Sequence, residues 1–390
     1  MWLDWAFMLP GSFPQPPEVE RVLPVTVSML PPFERFVEEL RGIWDTHWLT
    51  NAGPKVQSFE AALRGLLGTP NCLSYCNGGA ALIAGLAALR LEGEVITTPF
   101  TFPGTTHCLA LNGLTPVFAD VDPLDFNLDP AAIEAAITPR TSAILGVHVF
   151  GNPCQVEAMD RIAEKHGLKV IYDGAHAFGV KINGRDIASF GDAQMFSFNA
   201  TKLLTTGEGG CVVFKDPALE PELRRLRRWG MLAEGDVTRP GFNGMMTEIQ
   251  AALGLCNLEY LEAERRERRR VVATYRRLLA GLPGIHLPHE PPGVEPALAY
   301  FVIRVGAEAG RGRDEVLARL RERQILARRY FYPLCSRLPC YTHLPGAEPG
   351  ATPVAAAIAE EVISLPIFGA LTDGQISFIV GVIADALHLS

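Results

Sequence analysis

Ser142-Ala143-Ile144-Leu145-Gly146-Val147-His148-Val149-Phe150, then residues 155–167, then Lys169-Val170-Ile171-Tyr172 are the stretches that decide the fold. The first and last are apolar runs of strand length, and the middle one reads as an amphipathic helix. A strand, a helix and a second strand in this order predict a βαβ unit with parallel strands. Outward from it the alternation continues. Upstream, strands are predicted over residues 72–76, 94–98 and 115–119, with helices over 80–91, 105–112 and from Asp129-Pro130 to Ile137. A proline at a helix start costs nothing, because the N–H it lacks has no partner there. Downstream, residues 194–198 and 210–214 complete the set. The pattern predicts an α/β fold with a mixed, mostly parallel sheet covered on both faces.

Beyond Met245 the character changes. Residues 247–282 read as one long helix, whose charged stretch 262–270 reads as a solvated face. A Pro-rich loop (283–296), a strand (300–305), a helix (314–323), a turn (361–365) and a helix (375–387) follow. The division expected is a large α/β domain over residues 1–250 and a smaller C-terminal α+β domain over 251–390. Residues 1–24 form an N-terminal extension with no reading beyond a packing arm.

Composition narrows the class. Of the 390 residues, 48% are apolar and 20% charged, an ordinary globular balance with enough chain for two domains. The net charge of −8, with basic residues scattered except for one helical run, argues against nucleic acid or an acidic membrane surface as the main partner. No apolar run is long enough to span a bilayer, and residues 1–8 lack a signal peptide's basic start, so a cytoplasmic protein is expected. The eight cysteines contain no C-x-x-C pair and read as reduced core residues, with no metal site.

In a parallel sheet, ligands gather beyond the carboxyl ends of the strands. Three places qualify. Asn77-Gly78-Gly79 ends a strand and opens a helix, offering bare N–H groups for a phosphate; alone, such a turn is more often a tight connection. Asp173 ends a buried strand with His176 three residues on; separately they fit a helix cap and a core histidine. Lys202 lies in Ser197-Phe198-Asn199-Ala200-Thr201-Lys202, among hydroxyl, amide and glycine residues. A lysine partly withdrawn from water becomes nucleophilic, as a Schiff-base lysine must be. Pyridoxal 5′-phosphate (PLP) needs all three: a phosphate seat, an acid at its pyridine nitrogen and a lysine for its aldehyde.

At this point the sequence resembles the DegT/DnrJ/StrS family of sugar aminotransferases, which share the type I (aspartate aminotransferase-like) fold of PLP-dependent transferases. The resemblance runs from about Leu30 to the C-terminus. It is carried by Trp48-Leu49-Thr50-Asn51, Thr101-Phe102, Asp122-Pro123, Asn127 to Pro130, Thr138 to Thr141 and His148 with Gly151. It continues through Asp173 to Gly179, Ser197 to Gly210, and Asn243 with Glu248 to Gly254. The versions over 172–179 and 200–202 are most like the branch that aminates C4 of nucleotide-linked 4-keto-6-deoxy sugars.

The resemblance implies that Lys202 forms the Schiff base and shuttles the proton, and that Asp173 pairs with the pyridinium nitrogen. His176 would lie by the cofactor's 3-oxygen, where many relatives carry Gln, and Phe102 would stack on its ring. Gly78, Gly79, Ser197 and Asn199 would belong to the cofactor site, and Asn243 would reach the phosphate from the partner subunit of a homodimer. Trp48, Thr50 and Asn51 are expected to wall the sugar nucleotide. Gly79 and Met245 depart from the family's hydroxyl and basic residues. The implied reaction moves an amino group from L-glutamate to C4 of dTDP-4-dehydro-6-deoxyglucose. The alternatives are a 3-ketosugar, a ketocyclitol of the scyllo-inosose type, or a regulatory protein that binds PLP without turnover. A dehydratase of the family would carry histidine where Lys202 stands.

Overall fold

The structure, a computed structural model, describes residues 22–387; most of the N-terminal extension (1–21) lies outside these. Seven strands build the central sheet: β1 (Cys72–Tyr75), β2 (Glu94–Thr97), β3 (Thr115–Phe118), β4 (Thr141–Val147), β5 (Lys169–Asp173), β6 (Ala193–Ser197) and β7 (Gly210–Phe214). Their order is β1-β7-β6-β5-β4-β2-β3, and every pairing is parallel except the two made by β7. The continuous apolar runs are explained by burial on both faces. Ile144, Tyr172, Phe196 and Cys211 point into one core, and Leu145, Ile171, Met195 and Val212 into the other.

Helices cover both faces. α1 (Phe33–Thr46) and α2 (Pro54–Leu67) pack on the long α8 (Glu248–Leu279). α3 (Gly78–Ala88), α4 (Pro103–Leu111), α5 (Pro130–Ala136), α6 (Val156–His166) and α7 (Glu220–Leu226) complete this part. The C-terminal part holds α9 (Arg313–Glu322), α10 (Pro353–Glu361) and α11 (Asp373–Ala386) around a sheet of Ile285–His286, Phe301–Val305 and Val362–Leu365. Leu23–Pro24 pairs in parallel with Ile325–Leu326, which docks the end of the N-terminal extension on this part. The two large cores meet within α8. Ala251 and Leu261 belong to the first, Val271, Tyr275 and Leu279 to the second.

Several local expectations change. The strand predicted over 142–150 stops at Val147, and Val149–Gly151 forms a 3-10 turn with Phe150 at φ 59°. Asn127 causes the break: its Oδ1 accepts the Val149 N–H at 2.8 Å. Residues 362–365, expected as a turn, are a strand paired with Phe301–Val305. The charged stretch of α8 is not a solvated face throughout. Arg265 and Arg268 are buried, donating to the carbonyls of Gly179 (3.2 Å) and Leu298 (3.2 Å), and Arg268 also to Glu264 (2.6 Å). All eight cysteines are free, but Cys340 is exposed and Cys76 half-buried, so these two are not core residues.

A buried ion pair fastens β1, which delivers the Asn77 turn. Glu60 Oε1 accepts from Arg227 Nη1 (2.8 Å), the Ser74 N–H (2.9 Å) and the Ser74 hydroxyl (2.9 Å), and Arg227 also reaches the Ser74 carbonyl (2.6 Å). Removing one partner strands a buried charge. Glu60→Ala is therefore expected to cost about 3 kcal/mol of stability, read from denaturant unfolding. An unchanged unfolding midpoint would show that the pair is solvated.

Candidate active site

Three strand ends and one helix start converge on a cavity of about 440 Å³. At α3, the Asn77 side chain caps the helix by accepting the Ala80 N–H at 2.8 Å. The N–H groups of Gly78 and Gly79 lie in the first turn, so they have no partner within the helix. A Cβ on Gly78 would stand 2.9 Å from Ser197 Cβ. Glycine there lets the end of β6 approach, which puts the Ser197 hydroxyl beside the helix start. Both line the cavity and form a seat for an anion.

Asp173, at the end of β5, is buried. Its Oδ2 accepts the Thr105 hydroxyl at 2.7 Å and its Oδ1 the Ala175 N–H at 3.0 Å. Burial raises its pKa above the usual carboxylate range, against the pull of those two hydrogen bonds and of the Lys202 charge. His176 is buried too, and burial holds its imidazole well below the ordinary pKa, aided by the nearby Lys202 charge. Its Nδ1 accepts the Phe150 N–H at 3.3 Å, which assigns the ring proton to Nε2. The ring stacks on Phe331, with centroids 5.7 Å apart and planes at 11°. His176 is thus a neutral, fixed donor.

Lys202 also lines the cavity, with Nζ 3.0 Å from the Tyr300 hydroxyl. Asn199 shapes the loop that carries it. Its carbonyl accepts the Lys202 N–H (2.9 Å), its Oδ1 accepts from Thr201, and its Nδ2 donates to Glu208 (2.6 Å). Asn199 lines the cavity, yet its amide is engaged in closing the loop. Phe102 precedes α4 and stands 63% exposed at the cavity wall.

The structure brings together Gly78, Gly79, Phe102, Asp173, His176, Ser197, Asn199 and Lys202. It does not bring Asn243, Trp48, Thr50 or Asn51 into the same cavity. Asn243 bridges Arg228 on the strand-like return behind the Asn77 turn. The Trp48 indole donates to the Thr50 carbonyl (2.5 Å), and Asn51 lines a separate hollow with Arg227, Arg228 and Met245. Sequence reasoning missed Thr105, Tyr300, Tyr330 and Phe331, all on the cavity wall. The run Tyr330-Phe331-Tyr332-Pro333 carried a compositional signal; Tyr300, at the entry to an apolar strand, carried none.

With this geometry in hand, the sequence profile of the DegT/DnrJ/EryC1/StrS aminotransferase family matches residues 33–384. The chain belongs to this family. Its members are PLP-dependent sugar aminotransferases. A dTDP-4-amino-4,6-dideoxy-D-glucose transaminase of Escherichia coli is 40% identical over 91% of this chain and 96% of the relative. A UDP-N-acetyl-3-dehydro-alpha-D-glucosamine 3-aminotransferase of Acidithiobacillus ferrooxidans is 38% identical over 86% of this chain and 89% of its own. Among solved structures, DesI in the presence of its TDP-sugar product superposes with a TM-score of 0.90 at 37% identity, covering 95% of this chain and 94% of the other. The fold is that of PLP-dependent transferases of type I. No helix among the described residues is long and apolar enough to cross a membrane.

The buried carboxylate sets a pH dependence. Because the folded-state pKa of Asp173 is raised, the folded protein holds its proton more tightly than the unfolded chain. Stability from this group is therefore full below the ordinary carboxylate range and declines as pH rises through the folded pKa. The cofactor-free Asp173→Asn variant should unfold at a higher temperature than the native protein at pH 8, with the gap closing as pH falls towards 4. A gap that stays constant with pH would contradict this.

Proposed function

We propose that this chain holds PLP in the 440 Å³ cavity and moves an amino group from L-glutamate to C4 of dTDP-4-dehydro-6-deoxyglucose. One observation carries the proposal: a lysine amine, a buried carboxylate and a helix N-terminus share one cavity of ligand size. The residues fit the cofactor. The partners of Asp173 are a hydroxyl and an N–H, so a cationic ring nitrogen would compensate a buried charge that they do not neutralise. The Gly78 and Gly79 N–H groups and the Ser197 hydroxyl suit a phosphate. Phe102 offers an exposed ring face.

Bound PLP supplies an electron sink and a carbonyl carbon that exchanges amines. The chain supplies the rest. Lys202 would hold the aldehyde carbon and, once freed by an incoming amine, its Nζ would carry a proton between the substrate carbon and the cofactor's C4′, in opposite directions in the two halves of the cycle. Asp173 keeps the ring nitrogen protonated. His176 would donate through Nε2–H, since burial holds its imidazole well below the ordinary pKa. Asn243, Trp48, Thr50 and Asn51 lie outside their own chain's cavity, which supports a homodimer in which Asn243 of the partner subunit reaches the phosphate.

The substrate rests on the named relatives. The E. coli transaminase supports C4 of a dTDP sugar, and the A. ferrooxidans enzyme keeps a 3-ketosugar as the second reading. In the test, L-glutamate should discharge the visible absorption of the PLP-loaded protein and dTDP-4-dehydro-6-deoxyglucose should restore it. Lys202→Ala should slow the cycle by about 10³-fold or more. Restoration by a 3-ketosugar and not by the 4-ketosugar would overturn the regiochemistry. A protein whose absorption ignores glutamate would overturn the donor.

A further inference from the structure

Lys202 hangs on a flexible four-carbon stem, and its amine is free for part of any cycle in which it gives up the cofactor. The structure shows where that free amine rests. Its Nζ lies 3.0 Å from the Tyr300 hydroxyl, and 5.4 Å from the centre of the same ring. Tyr300 comes from the C-terminal part, one residue before the strand Phe301–Val305. Its own position is over-determined. Its ring meets His176 edge-on at 4.7 Å, leans on Phe150 at 5.9 Å and stands edge-on to Tyr330 at 6.0 Å. The backbone leading to it is held by two buried arginines of α8. Arg268 donates to the Leu298 carbonyl at 3.2 Å, and Arg265 to the Pro296 carbonyl at 3.5 Å.

The chemistry of the partner matters as much as its place. A phenol hydroxyl both donates and accepts. From one position it accepts from a lysine ammonium or donates to a neutral amine. A carboxylate in its place would favour the ammonium and hold the proton on the lysine. A phenylalanine would offer a hydrogen bond to neither form.

We infer that Tyr300 is a positioning residue for Lys202, holding the released amine at one point on the cavity wall in either protonation state. The inference rests on the proposed bond between Lys202 and PLP. The protons balance with the phenol keeping its own. The ammonium donates an N–H to Oη; after its proton has gone to the substrate carbon, the neutral amine accepts from the phenol O–H, whose proton stays on oxygen. The gain is entropic: a rotamer-rich side chain is ordered before it reacts.

Tyr300→Phe keeps the ring contacts and removes the hydroxyl. Two ligands separate positioning from packing. Pyridoxamine 5′-phosphate forms no bond with Lys202, whereas PLP does, and its capture is followed by the visible absorption that accompanies bonding. In the variant, the Kd for pyridoxamine 5′-phosphate should stay within about twofold of native, while PLP capture slows about tenfold, the scale of one lost hydrogen bond. The isotope effect on α-deuterated L-glutamate should also grow. Capture at the native rate would overturn the inference. So would a loss of pyridoxamine 5′-phosphate affinity in step with capture, which would make Tyr300 a wall of the cofactor site. Native protein that captures no PLP would overturn the parent reading, a failure visible before any variant is compared.

Discussion

A carboxylate buried at the end of a parallel strand is expensive, and the site is organised around that expense. Asp173 is withdrawn from water, and a hydroxyl and an N–H offset part of the desolvation without neutralising the charge. The register of the sheet puts it there: Val147 of β4 and Met195 of β6 are its lateral neighbours. The start of α3, with its partial positive charge and first-turn N–H groups, lines the same cavity. The cavity therefore presents an acid and an anion-binding helix end together. It suits a ligand with a cation at one end and an anion at the other, which describes PLP with a protonated ring and a phosphate.

The second constraint is that the walls of the site come from two parts of the chain. Lys202, Asp173 and the Gly78-Gly79 turn belong to the sheet's side; Tyr300, Tyr330 and Phe331 arrive from the C-terminal part. α8 joins the two. Its first half packs under the sheet, its second half enters the other core, and Arg265 and Arg268 between them pin the segment that leads to Tyr300. Charged residues usually mark a helix face as solvated. These two are instead buried, because three backbone carbonyls and Glu264 need donors there.

What the sequence made legible follows from these two constraints. The sheet was readable because its strands are buried on both faces and so appear as apolar runs. Gly78-Gly79, Asp173 and Lys202 could be singled out because each lies at or shortly after a strand end, where a parallel sheet gathers its ligands. Tyr300 was not, because its role arises from a contact 98 residues away in sequence, and nothing local distinguishes it from a strand residue. Arg268 was misread because helix periodicity does not say which turn passes beneath a loop. The early end of β4 was missed because its cause, Asn127, lies 22 residues upstream.

The most direct test of the central claim is the identity of the lysine that bonds PLP. The loaded protein would be reduced with borohydride, digested and mapped by mass spectrometry. The account predicts the pyridoxyl group on Lys202, stoichiometrically and on no other lysine. A pyridoxyl group on a different residue, or none after reduction of visibly loaded protein, would contradict it.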